Sequence, residues 1–93
     1  MTAKFLIEVP HDANKVACAR VVDVFLKSGS HFLAGAHWGC KDGVHKAWML
    51  VDVDSKDEAR GILPPFPRLQ AKIMQLNTFT IAEIKDILRQ HES

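Results

Sequence analysis

The stretch "HFLAGAHWGCKDGVHKAW", residues 31–48, decides how this chain folds. Two largely apolar segments, His31–Cys40 and Val44–Asp54, flank Lys41-Asp42-Gly43, and Asp-Gly is a strong two-residue hairpin signal. An Asp42-Gly43 turn pairs Cys40 with His45, Trp38 with Ala47, His37 with Trp48 and Ala36 with Met49. One face then carries Phe32, Ala34, Ala36, Trp38, Cys40, Ala47, Met49, Val51 and Val53. A three-residue turn would set Phe32 against Asp52 and mix the faces. A single buried face selects register, so the even turn is expected.

Working outward, Lys4–Val9 reads as a short strand bounded by Pro10. Asp12 is the expected N-cap of a helix with Ala17, Cys18, Val21, Val22 and Phe25 at helical spacing, stopped by Gly29. Ser55–Glu58 is a capping box that opens a second helix, ended by Pro64 and Pro65. Ala71–Phe79 reads as a fourth strand. Thr80–Glu83 is a second capping box, ahead of a last helix with Ile81, Ile84, Ile87 and Leu88 on one side.

The order β-α-β-β-α-β-α predicts an α+β domain spanning residues 1–93. Its sheet is antiparallel and four-stranded, in the order 4-1-3-2, with helices on one face. This pattern is similar to the ferredoxin-like fold and, with its bare sheet face and extra C-terminal helix, resembles the dimeric α/β-barrel superfamily. The block "GSHFLAGAHWGCKDGVHKAW" (29–48) resembles a family of small bacterial proteins with no assigned activity. The resemblance implies a fold and a dimer, and no reaction.

Composition bounds the function. A single 93-residue domain buries about 60–65% of its unfolded surface, so oligomerisation is a natural source of added stability. A net charge of +1 gives no field that draws nucleic acid or anionic lipid. Strand one offers Leu6 and Glu8 where base-stacking sheets of this topology carry aromatics, and Glu8 and Asp52 would repel phosphates. The N-terminus is neither a secretory signal nor a membrane span. Two cysteines are too few for a disulfide framework, so a cytoplasmic location with reduced thiols is expected. "LPPFPR" (63–68) sits within a short crossover and is a poor free polyproline ligand; Phe66 and Arg68 are expected to border a cleft there.

Three functional readings follow. In the first, the sheet face away from the helices forms a cleft with a second copy and takes a small molecule. Glu8 and His37 would be the catalytic pair, since burial raises a carboxyl pKa and imidazole titrates near neutrality. Trp48, Lys46 and His11 would bind the ligand, and Gly35 and Gly39 would leave it room. In the second, the same residues only build a homodimer interface. In the third, the hairpin binds a metal such as zinc, nickel or copper. Strand parity turns His37 away from Cys40 and His45. A third ligand would come from His11, His91 or a symmetry mate. Cys18 is expected to be core packing. The sequence names no cofactor.

Overall fold

The alternation in "AKFLIEVP" builds β1 (Ala3–Pro10), which turns Phe5, Ile7 and Val9 inward to near-complete burial. The computed structural model describes residues 1–92. After β1 come α1 (Lys15–Lys27), α2 (His31–Ala34), β2 (His37–Trp38), a 3-10 turn (Cys40–Asp42) and β3 (Lys46–Val53). α3 (Lys56–Gly61), α4 (Pro65–Gln70), β4 (Lys72–Leu76) and α5 (Ile81–His91) complete the chain. The sheet is antiparallel in the order β2-β3-β1-β4, which is the expected 4-1-3-2. The architecture is α+β and loosely fits a ferredoxin-like fold. Among the described residues no helix is long and apolar enough to cross a membrane.

The inner sheet face supplies Phe5, Ile7, Val9, Ala47, Met49, Val51 and Ile73 to the core. Phe25 from α1, Leu33 from α2, and Ala59 and Leu63 from the α3 region close over them. Each large side chain buried this way contributes about 1.5–3 kcal/mol relative to exposure. The register of the hairpin is as expected, with His37 opposite Trp48 and Trp38 opposite Ala47.

Four local expectations are corrected. α1 is capped by Asn14, whose side chain accepts from the Ala17 amide at 2.8 Å, and not by Asp12. The expected strand over His31–Cys40 is mostly not a strand. Ser30 caps a one-turn helix by accepting from the Leu33 amide, Gly35 stops it, and Leu33 drops into the core. The face assignments of Phe32 to Ala36 as strand residues therefore lapse. The two-residue Asp42-Gly43 turn is replaced by a wider loop. The Gly39 amide donates to Lys46 O, and the Val44 amide donates back to Gly39 O, both at 3.0 Å. Gly43 closes the 3-10 turn at φ 81°, a conformation that favours glycine. Cys40 and His45 are thus not ladder partners. Lastly, Pro64 and Pro65 do not simply end α3. Pro65 begins α4, where its missing N–H costs nothing. Arg68 donates to Leu63 O at 2.7 and 3.1 Å and Arg60 donates to Arg68 O at 2.9 Å, so two guanidinium groups satisfy the crossover's carbonyls.

Candidate metal centre

Four separate segments end at one place near the rim of the sheet. His11 follows β1 directly, and its amide donates to His45 O at 3.1 Å, tying the end of β1 to the entry of β3. Cys18 lies in the first turns of α1, its amide bonded to Asn14 O. Cys40 opens the 3-10 turn and His45 precedes β3. The wide loop frees Cys40 and His45 from strand alternation and lets both side chains converge.

The donor atoms of His11, Cys18, Cys40 and His45 all lie within 4.8 Å of one another. His11 Nε2 is 3.0 Å from Cys18 Sγ and 3.1 Å from Cys40 Sγ, and Cys18 Sγ is 3.2 Å from His45 Nδ1. A tetrahedral zinc ion with two sulfur and two nitrogen ligands has donor–donor edges of roughly 3.3–3.8 Å, from its bond lengths. The three nitrogen–sulfur contacts at 3.0–3.2 Å lie a few tenths of an ångström inside those edges, and no donor pair exceeds 4.8 Å.

The surroundings act on the ligand set in both directions. The His11 pKa is lowered, first by burial and next by the charge of His45, against an opposing pull from Asp12. That keeps the imidazole lone pair available. The Cys40 pKa is raised, first by burial and next by its hydrogen bond to and charge from Cys18, so its thiol holds its proton until a cation displaces it. His11 Nδ1 is buried with no hydrogen-bond partner, an arrangement that costs about 1–3 kcal/mol. It lies across the ring from the Nε2 that faces the sulfurs, so an ion on Nε2 would leave it unpaired. Trp38 walls the site, its ring 5.9 Å from His11 on one side and 5.1 Å from Phe25 on the other. Cys18, Cys40 and His45 also line a cleft of about 870 Å³ with Lys15, His37 and Lys41, which gives an ion a route in.

The residues expected on the bare sheet face are distributed differently. Glu8 and Trp48 are ladder partners, and Trp48 Nε1 donates to Glu8 Oε1 at 3.3 Å. Lys46 Nζ lies 3.6 Å from the same oxygen, with the Glu8 side chain only 18% exposed. His37 is exposed opposite Trp48. His11 does not join this group, because its ring points into the sulfur cluster. The room expected beside the glycines is absent. A Cβ on Gly39 would stand 2.8 Å from the Trp48 ring and 2.6 Å from Val44 O, and Gly35 lies in the α2 cap, off the sheet.

Cys18 is the member of the cluster that sequence reasoning missed. It shares a helical stripe with Val22 and Phe25, which reads as core, yet at the start of α1 that stripe faces His11. The His11-x6-Cys18 spacing across a capped helix start was the available signal. His91, at the end of α5, is not part of the cluster. No family model, curated protein or solved structure matches the chain.

Proposed function

We propose that this protein binds one zinc-class divalent ion through His11, Cys18, Cys40 and His45. The observation that carries the reading is the meeting of two thiols and two imidazoles from four chain segments within 4.8 Å. Two sulfur and two nitrogen donors in a tetrahedral set suit zinc better than magnesium or calcium, which select oxygen. Four protein ligands close the coordination sphere, so the role is structural and not Lewis-acid catalysis. The ion would staple the end of β1 and the start of α1 to the β2–β3 loop, adding cross-links to a domain with a small core.

Binding of a small molecule on the open sheet face, with Glu8 and His37 as its chemistry, draws less support. Glu8 is already engaged by Trp48 and Lys46, and the Gly39 gap is filled.

The test is a zinc titration of the reduced chain, followed by calorimetry and by thermal unfolding. One equivalent should bind, and a free-zinc excess of 100-fold over Kd should raise stability by about 2.7 kcal/mol. Cys18→Ala, which removes one of the four donors, should weaken binding sharply and cut this gain, whereas His37→Ala should not. Zinc binding that ignores Cys18→Ala, or no binding at micromolar zinc, would overturn the proposal.

A further inference from the structure

The chain is far longer than a compact domain of its size. Its radius of gyration is 16.9 Å and its extents are 57 × 30 × 20 Å. A compact chain of this length has a radius of gyration of about 12 Å. The excess comes from the C-terminal segment. Every described residue from Met74 onward is exposed, including the whole of α5.

That segment is not polar. Ile81, Ile84, Ile87 and Leu88 are 77%, 39%, 45% and 58% exposed, and Phe79 ahead of them is 65% exposed. α5 starts at a complete capping box, with the Glu83 amide donating to Thr80 Oγ1 at 3.1 Å and Glu83 Oε1 accepting from the Thr80 amide. Its sequence therefore specifies a helix. Yet an isolated helix under about 12 residues is marginal in water. An 11-residue amphipathic helix that holds its shape needs an apolar surface to lie on.

The same chain carries such a surface, also uncovered. On the sheet face away from the helices, Leu50, Leu6 and Met74 form one row across β3, β1 and β4. Trp48 and Leu76 extend it on either side. Leu50 is 61% exposed and Met74 43%.

We propose that α5 is an exchange arm, which lies across the open sheet face of a second copy of this chain and receives that copy's arm in return. A two-fold pairing makes this contact twice and covers the arm stripe and the open sheet face of each copy. An 11-residue helix is about 16 Å long and 10 Å wide. Its footprint is then about 160 Å², and two arm-on-sheet contacts cover roughly 640 Å² counting both surfaces, the size of a small interface. The occupant is a second copy because the structure holds the arm away from its own sheet while presenting both halves of the contact on every molecule.

Sedimentation of the full chain at micromolar concentration tests this. Wild type should be a dimer. Leu50→Lys, on the sheet, and the double variant Ile84→Glu/Leu88→Glu, on the arm, should each be monomers. All three positions are exposed in the single chain, so circular dichroism should show each variant folded. Mixing the two variants should restore dimers, because one arm–sheet contact is then wild type and the other sets Glu against Lys. A monomeric wild type overturns the proposal, since the arm then folds onto its own sheet or onto nothing. Arm variants that stay dimeric overturn it as well, leaving a dimer joined sheet to sheet. Two monomeric variants that fail to recombine show that arm and sheet do not meet.

Discussion

Gly39 ties the hairpin loop to the His/Cys cluster, and Gly39→Ala perturbs both without changing a member of that cluster. The added Cβ would lie 2.6 Å from Val44 O and 2.8 and 3.0 Å from two atoms of the Trp48 ring. An ordinary carbon–oxygen contact is about 3.3–3.6 Å, so roughly 0.7 Å of overlap must be relieved. Neither neighbour yields easily. Val44 O is loop backbone, and the Trp48 ring is held by its bond to Glu8. Overpacking of this kind costs about 2 kcal/mol, and in a domain this size that lowers the melting temperature by roughly 8–16 °C. Because Cys40 and His45 bracket the displaced loop, zinc affinity should fall about tenfold as well. Circular dichroism melts in chelator measure the first effect and zinc titration the second. Gly61→Ala is the control, since nothing lies within 4 Å of its added methyl. A Gly39→Ala chain that melts and binds zinc like wild type would refute the account of the loop.

Three further outcomes are expected. For the metal-free chain, His11 titrates below its ordinary 6.5 when folded, so the unfolded chain takes up the proton first; stability should be full above about pH 6.5 and decline as the pH falls through the folded value. Cys40 titrates above its ordinary 9.0 when folded, so its contribution should be present below pH 9.0 and be lost as the pH rises further, both limbs being read from melts across pH. Cys18 and Cys40 should both alkylate in chelator and both be protected by one equivalent of zinc, as followed by mass spectrometry, because they share one site. Arg68→Lys should destabilise by about 1–3 kcal/mol in denaturant titrations, since a lysine cannot reproduce the guanidinium fork on Leu63 O and Gly61 O.

The sheet was legible because its signals are periodic and redundant. Phe5, Ile7 and Val9 alternate against Ala47, Met49 and Val51, and a one-residue slip would turn one set to the opposite face. His37 opposite Trp48 followed from the same constraint. The segment 31–36 misled because a single helical turn is too short to show a 3.6 period, and a short apolar run beside a hairpin signal reads equally as a strand. The Ser30 cap and Gly35 stop decided it locally. The candidate site was half legible. Cys40 and His45 were paired across the turn and His11 was among the possible third ligands, but by a strand geometry that the loop does not have. Cys18 was hidden because a cysteine on an apolar helix stripe reads as core until the fold shows what the stripe's first turn faces. The projection of α5 left no trace in the sequence, since an amphipathic stripe fits an internal or an external partner equally well.

The central claim is that two thiols and two imidazoles of this chain share one ion. X-ray absorption at the zinc edge, on the chain loaded with one equivalent, reads that donor set directly. The account predicts two sulfur ligands at about 2.3 Å and two nitrogen ligands at about 2.0–2.1 Å, with one sulfur lost in Cys18→Ala. A shell of oxygen and nitrogen without sulfur, or a sulfur count that Cys18→Ala leaves unchanged, would contradict it.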